Sequence, residues 1–187
     1  MVGMNGDSLK ERPLAERSAL VFDPHLCTGC MYCMTACSTR SEGATSLSEA
    51  RLQLIRYEGH ALTGISGEEE LVFKLVVCRQ CEEAPCVAAC PAEAMYVDEA
   101  GIVRRSVVRC TGCRSCALAC PFGVIDTETT RHEVAKCDLC ADRTPQGLLP
   151  RCVAVCPSRA LKFMEIVEGV PAAGYTLMSG RTIHRTR

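Results

Sequence analysis

Cysteine is the residue type that could carry chemistry in this chain of 187 residues, because all 16 cysteines fall into four short motifs. In the third motif, CTGCRSCALACP, three cysteines follow at intervals of three residues, a fourth lies four residues further on, and a proline comes next. That spacing is typical of a [4Fe–4S] site of the bacterial ferredoxin type. The sequence therefore predicts four [4Fe–4S] clusters. The predicted ligands are Cys27, Cys30, Cys33, Cys37, Cys78, Cys81, Cys86, Cys90, Cys110, Cys113, Cys116, Cys120, Cys137, Cys140, Cys152 and Cys156.

The spacing between motifs predicts which of them share clusters. In two-cluster ferredoxins, the last cysteine of each motif ligates the cluster of the other motif. Only 19 residues separate Cys90 from Cys110, which is room for one hairpin, so the second and third motifs should pair. The first and fourth motifs should then pair across them. The predicted sets are Cys27, Cys30, Cys33 with Cys156; Cys137, Cys140, Cys152 with Cys37; Cys78, Cys81, Cys86 with Cys120; and Cys110, Cys113, Cys116 with Cys90.

Composition agrees with a fold built around these cofactors. The chain has four Phe, four Tyr and no Trp, so an ordinary apolar core would be thin. Clusters can fill that space, and cofactor binding and folding are then expected to be one event. The net charge of -1 gives no basic footprint for nucleic acid or an anionic membrane.

Two other uses of cysteine explain the spacing less well. Eight disulfides would also use all 16 cysteines, but the N-terminus shows no apolar export signal, and a reducing cytoplasm favours metal ligands. Structural zinc usually takes two pairs of ligands, which fits three cysteines within seven residues poorly. No apolar run approaches the roughly 18 residues of a membrane helix, so we expect a cytoplasmic protein without direct membrane insertion.

Short apolar runs between the motifs predict small strands. A strand and turn are expected at 21–26, and a short helix is possible around 9–20. Proline follows Cys90, Cys120 and Cys156 but not Cys37, so the helix there is expected to run on. The remaining predictions are hairpins from 51–57 with 70–77, from 94–97 with 102–104 and from 124–126 with 133–135, and a closing strand at 160–165.

The predicted fold class is α+β, with two pseudo-twofold bacterial-ferredoxin-like modules of short helices and small β-hairpins around four clusters. The expected order is an N-terminal arm (1–20), the first half of a split module with a hairpin insertion (21–73), a contiguous module (74–125), the second half of the split module (126–168) and a C-terminal tail (169–187). The tail is expected to be solvated, with a docking strap for a partner as the alternative.

Few residues besides the cysteines attract a functional role. Lys136 and Arg109 adjoin predicted ligands and could tune potentials, but solvated charges are the simpler interpretation. His25 precedes Cys27 by two residues and is expected to be a surface or packing residue. There is no Gly-rich phosphate loop, Ser/His/Asp set or pair of catalytic carboxylates, so we predict no catalytic residues and no cofactor site beyond the clusters.

From Phe22 to Met164 the chain resembles the four-cluster electron-transfer subunits of the dimethyl sulfoxide reductase family of molybdenum enzymes. The second motif, CRQCEEAPCVAACPAEAM, has the proline before the third cysteine, Pro85. The fourth, KCDLCADRTPQGLLPRCVAVCPSRAL, has Arg143, Gly147 and Pro150 in its long loop. The stretch CSTRSEGATSLSEARLQL is similar to small cytoplasmic members, namely the small subunit of tungsten aldehyde oxidoreductases and the iron–sulfur partner of carbon monoxide dehydrogenase.

The resemblance implies a non-catalytic subunit of an oxidoreductase in anaerobic metabolism. It would relay single electrons through four [4Fe–4S] clusters between a catalytic subunit, of molybdenum, tungsten or carbon monoxide dehydrogenase type, and an acceptor subunit. Self-association into a longer wire is a further possibility. The alternatives are a free-standing polyferredoxin shuttle and, more remotely, a zinc-binding interaction module.

Overall fold

The computed structural model describes residues 18–39, 46–57, 72–81, 83–125 and 134–165, and the backbone of 175–177 and 182–185. These segments contain both short strands and short helices, which is consistent with the predicted α+β class. The helices are α1 (Tyr32–Ser38), α2 (Pro85–Ala88), α3 (Ser115–Leu118) and α4 (Arg151–Ala154). The strands are β1 (Ser18–Phe22), β2 (Leu52–Tyr57), β3 (Val72–Val77), β4 (Met95–Val97), β5 (Val103–Arg105), β6 (Leu161–Glu165), β7 (Tyr175–Leu177) and β8 (Thr182–Arg185).

Two of the predicted hairpins are confirmed. Strands β2 and β3 pair antiparallel, with Leu52 opposite Val77, and their alternating residues Leu52, Leu54, Leu75 and Val77 are buried. Strands β4 and β5 form the smaller antiparallel pair. The connection at 58–71 lies outside the described residues. In the β2–β3 hairpin, alternation of buried and exposed side chains fixes the register, because a slip of one residue would reverse the faces.

The two ends of the described chain meet in one sheet of order β6-β1-β8-β7. Strand β1 pairs antiparallel with β6, with Phe22 opposite Leu161, which confirms the predicted strands at both places. Strand β8 pairs parallel with β1 and antiparallel with β7. The tail was expected to be solvated or a docking strap, and neither alternative predicted that it adds strands to this sheet.

Each helix carries the third cysteine of its motif. Cys33, Cys86, Cys116 and Cys152 are all buried. Helices α2, α3 and α4 each end two residues before the fourth cysteine, which is followed by proline. Helix α1 instead continues through Cys37 to Ser38, as predicted, because no proline follows Cys37 to end it.

Buried side chains form two core clusters. The larger contains Leu20 and Phe22 of β1, the inward residues of β2 and β3, and Leu161 of β6. The smaller contains Met95, Val103, Ile125 and Val134. Cysteines lie in both clusters, so the predicted metal sites are part of the core rather than attached to its surface.

Other expectations about secondary structure differ from the structure. The helix considered around 9–20 is wrong for Ser18–Leu20, which belong to β1, because an apolar run can bury both faces between two neighbouring strands. Its remainder lies outside the described residues. Of the hairpin predicted at 124–126 and 133–135, the described part contains only an isolated bridge at Ala135. No helix in the described ranges is long and apolar enough to cross a bilayer.

Replacement of Leu75 by alanine should destabilise the folded protein by about 2–5 kcal/mol, because Leu75 is 1% exposed and truncation leaves a cavity in the larger core cluster. The measurement is anaerobic denaturation of the cluster-loaded protein. Val108→Ala, at a position that is 96% exposed, is the control and should have almost no effect. Equal loss of stability in both variants would contradict the assignment of this core.

Candidate iron–sulfur sites

Three quartets of cysteines each line a cavity. Site A is formed by Cys27, Cys30, Cys33 and Cys156. Site B is formed by Cys137, Cys140, Cys152 and Cys37. Site C is formed by Cys78, Cys81, Cys86 and Cys120. In each quartet the last cysteine comes from the paired motif, so the structure groups these thiols as the spacing predicted.

The remaining cysteines, Cys110, Cys113, Cys116 and Cys90, are the predicted ligands of site D. Cys90 and Cys110 pack against the core cluster that contains Cys116, which brings three of these thiols together. Burial raises the pKa of Cys116. Cys113 is exposed. All 16 cysteines are free thiols, which is the form that can ligate iron.

The turn between the first two cysteines has the same conformation in every motif. The residue before the second cysteine is left-handed in each of them: Gly29 (φ +70°), Gln80 (φ +52°), Gly112 (φ +69°) and Leu139 (φ +55°). This conformation directs the backbone N–H of Gly29 toward Cys27, that of Gly112 toward Cys110 and that of Leu139 toward Cys137. The sequence showed two glycines that suit such a turn, but Gln80 and Leu139 adopt it without that freedom.

Backbone N–H groups also reach the last cysteine of three motifs. Arg51 N–H donates to Cys37 Sγ at 3.3 Å, Ala94 N–H to Cys90 Sγ at 3.2 Å, and Leu161 N–H to Cys156 Sγ at 3.5 Å. Such donors stabilise a thiolate and the more negative, reduced state of a cluster. They come from the segments that begin β2, β4 and β6, so these strands position donors as well as packing the core.

The thiols differ strongly in their electrostatic environment. Burial raises the pKa of Cys33 and of Cys86, each to about 11. Burial also raises the pKa of Cys137 and of Cys152 in site B well above the usual range, and neighbouring thiols add to the effect. Without a metal these groups stay protonated at neutral pH, so cluster binding must release their protons.

Two thiols of site D have the opposite character. Burial opposes ionisation of Cys110, but the Gly112 N–H and the Arg105 guanidinium outweigh it and lower the pKa of Cys110. The hydroxyl and backbone N–H of Ser115 lower the pKa of Cys113. Site D therefore combines two thiols that ionise readily with the buried Cys116, whose pKa is raised.

The interpretation of Lys136 as a solvated charge is wrong. Its side chain is 5% exposed, and its ammonium donates to the carbonyl of Cys137 at 2.9 Å and lies 3.8 Å from Cys78 Sγ. Sequence reasoning could not find this because the contacts span up to 58 residues of chain. Arg109 is exposed and stacks over the Tyr96 ring at 5.7 Å, and His25 is exposed, as expected for surface residues.

The sequence analysis assigned no role to Arg79 and Gln80, which lie between Cys78 and Cys81 of the second motif. Arg79 is buried, lines site C and lies over the Phe122 ring at 5.0 Å. Gln80 is 2% exposed and makes two hydrogen bonds to distant backbone. The only signal available beforehand was that two long polar residues occupy a turn where the first and third motifs have Thr-Gly.

The arrangement of thiols fits a cubane cluster. A cubane presents four separate iron corners, each of which takes one thiolate, so its ligands surround a space instead of converging on one point. The quartets of sites A, B and C surround such spaces. Within the part of the chain that the structure describes, no three His, Cys, Asp or Glu side chains gather closely enough to hold a single ion.

Comparison with known proteins agrees with this chemistry. A family model described as a 4Fe–4S dicluster domain matches residues 70–166, and one described as a 4Fe–4S binding domain matches residues 20–44. The thiosulfate reductase electron transfer subunit PhsB of Salmonella typhi is 38% identical over 83% of this chain and 79% of its own length. The B subunit of polysulfide reductase from Wolinella succinogenes is 35% identical over 91% of this chain and 87% of its own length.

A third relative is the B subunit of the anaerobic dimethyl sulfoxide reductase of Escherichia coli, which is 35% identical over 78% of this chain and 72% of its own length. The protein therefore belongs to the family of [4Fe–4S] dicluster proteins to which these iron–sulfur subunits belong. It is an electron-transfer protein that carries four [4Fe–4S] clusters, and it is not a catalytic subunit, as the sequence predicted.

Replacement of Gly29 by alanine should destabilise the protein and loosen site A. A Cβ there would lie 2.6 Å from Phe73 Cε1, and Phe73 is itself buried. We expect a loss of about 1–2 kcal/mol from the left-handed backbone and about 1–3 kcal/mol from overpacking. The measurements are anaerobic melting temperature and iron content.

Gly123→Ala is the matched control, because Gly123 also has a positive φ of +59° but an added Cβ would meet nothing within 4 Å. It should show the backbone contribution alone. A melting temperature equally lowered in both variants would mean that the contact with Phe73 does not constrain the turn at site A.

Proposed function

We propose that the chain is the electron-transfer subunit of an oxidoreductase complex, in which its 16 cysteine thiolates ligate the clusters at sites A, B, C and D. The observation that carries this proposal is the exchange of last cysteines between paired motifs, which surrounds each cavity with four thiols. When bound, each cluster supplies a one-electron redox couple. The protein holds the ligands in place and provides the amide donors and charges that set their environment.

We also propose that the fold consists of two ferredoxin-like modules related by pseudo-twofold symmetry. Helix α1 packs against α4, and α2 packs against α3, so each pair joins the two motifs that exchange a cysteine. The core clusters agree with this pairing of helices, because Cys33 and Cys152 lie in the larger cluster and Cys86 and Cys116 in the smaller. On this basis the split module comprises 21–73 with 126–168, the contiguous module comprises 74–125, and 1–20 and 169–187 are the arm and the tail.

The packing around the thiols supports the order A, B, C, D for the four sites. Cys33 of site A and Cys152 of site B lie in the larger core cluster. The ammonium of Lys136 contacts Cys78 of site C and the carbonyl of Cys137 of site B. Cys86 of site C and Cys116 of site D lie in the smaller core cluster. This succession of neighbours is the arrangement of a linear relay.

The two end sites are the ones that reach the surface. Cys30 of site A and Cys113 of site D are exposed, whereas sites B and C contain buried or half-buried cysteines. Exposed apolar side chains adjoin both ends, with Tyr32 58% exposed at the start of α1 and Leu118 89% exposed at the end of α3. We infer that electrons enter at one of these ends and leave at the other.

The proposed partners are a catalytic subunit and an acceptor subunit. The names of the relatives support a catalytic subunit from the dimethyl sulfoxide reductase family. The tungsten aldehyde oxidoreductase and carbon monoxide dehydrogenase types, suggested by the stretch after the first motif, are narrower hypotheses about that subunit. The cytoplasmic location expected from the sequence stays a prediction.

Replacement of Cys156 by alanine tests the ligand sets. The wild-type protein should contain about 16 iron atoms and as many sulfides per chain, since each of four cubanes contributes four. Cys156→Ala should disturb the cluster at site A and leave the EPR signals of the other three, because Cys156 lies with Cys27, Cys30 and Cys33. Measured iron and sulfide should therefore fall by no more than one cluster.

The matched variant is Cys37→Ala, which should affect site B instead. Loss of one and the same cluster in both variants would contradict the exchange of last cysteines. A colourless wild-type protein that contains zinc instead of iron would contradict the proposed function as a whole.

Purification of the protein from its native source, under anaerobic conditions, tests the proposed role as a subunit. We expect it to elute with a larger molybdenum- or tungsten-containing subunit, because electrons at the end sites need a donor and an acceptor in contact. Metal analysis of the complex distinguishes the two metals. Elution as an isolated monomer would favour the polyferredoxin shuttle, and elution as an oligomer of this protein alone would favour the self-associated wire.

A further inference from the structure

Lys136 is a buried cation between sites B and C. Its side chain is 5% exposed. The ammonium donates to the carbonyl of Cys137 at 2.9 Å and to the carbonyl of Val103, and it lies 3.8 Å from Cys78 Sγ. Cys137 belongs to site B and Cys78 to site C. One positive charge therefore contacts residues of both inner quartets.

Gln80 fixes the same junction from the opposite segment. It is 2% exposed, and its side-chain amide donates to the Cys137 carbonyl at 2.8 Å. Its side-chain oxygen accepts from the Val103 N–H at 2.9 Å. Lys136 and Gln80 thus both form hydrogen bonds with the backbone of Val103 and of Cys137, so the ammonium has a defined position between the two quartets.

A cation at this depth has a large electrostatic effect. Burying a charge costs free energy unless opposite charge lies nearby, and cluster thiolates would supply it here. Reduction of a cluster adds negative charge. A fixed positive charge a few ångströms away therefore stabilises the reduced state more than the oxidised state, and the effect is larger in a buried site than at the surface.

We propose that Lys136, positioned by Gln80, raises the midpoint potentials of the two inner clusters together. The inference rests on the ligand sets proposed above. Lys136 acts through its charge and is not a cluster ligand, because its protonated nitrogen donates hydrogen bonds to the carbonyls of Val103 and Cys137. Its effect falls on sites B and C because Cys137 and Cys78 both lie beside it.

The test is an EPR-monitored redox titration of the full-length, cluster-loaded protein with Lys136→Gln, which removes the charge but keeps hydrogen-bond donors. We expect two of the four midpoint potentials to fall, each with about a tenfold lower equilibrium constant for reduction, which is about 59 mV for a one-electron couple. The separate variant Lys136→Arg, which retains the positive charge, should keep both midpoint potentials close to the wild-type values.

Lys74→Gln is the matched control, because it removes one positive charge from an exposed position of β3 and should shift none of the potentials. Lys136→Gln with about 16 iron atoms and unshifted potentials would overturn the inference. If Lys136→Gln loses iron, Gln80→Glu provides the test instead, because it makes the same change in net charge at the same place while keeping Lys136. We expect the same two midpoint potentials to fall in Gln80→Glu, and unchanged potentials would overturn the inference. A wild-type protein without iron would instead refute the proposed function.

Discussion

Each iron corner of a [4Fe–4S] cube takes one thiolate. The local conformation of each cysteine motif follows from the need to supply these thiolates. The left-handed residue before the second cysteine turns the chain around a corner, and the helix that follows buries the third cysteine. The fourth cysteine of three motifs lines the site of the paired motif. Because paired motifs exchange these cysteines, neither motif of a pair supplies all four thiols of a site, and we expect folding and cluster binding to be coupled.

The environment of the thiols differs between the middle and the ends of the proposed relay. Burial opposes ionisation most strongly at Cys137 and Cys152 of site B, whereas hydrogen bonds and Arg105 favour ionisation of Cys110 at site D. Two buried clusters carrying negative charge would repel each other across a low dielectric. The ammonium of Lys136 lies between Cys78 of site C and the Cys137 carbonyl of site B, so its positive charge would offset that repulsion.

The sequence predicted those features that depend on local spacing. The cysteine motifs, the hairpins β2–β3 and β4–β5 and the strands β1 and β6 follow from patterns within a few residues. The pairing of the motifs follows from the short gap between the second and the third. Lys136 and Gln80 could not be found in this way, because their roles arise from contacts with Val103, which lies 33 and 23 residues away. The strands of the tail could not be found either, because pairing with β1 depends on an edge that exists only after β1 and β6 have formed the sheet.

Strand β5 belongs to a hairpin and also connects the segments that bear sites B and C. The N–H of Val103 donates to the side chain of Gln80, and the carbonyl of Val103 accepts from Lys136, which directly precedes the fourth motif. Both side chains converge on the Cys137 carbonyl, so the segments that bear sites B and C are bound to the same point. A fully satisfied buried polar network is rigid, because each broken bond leaves an unpaired group in a low dielectric. Hydrogen bonds between the segments that bear sites B and C therefore set the spacing of these two sites. Apolar packing alone, which tolerates repacking, would fix that spacing less well.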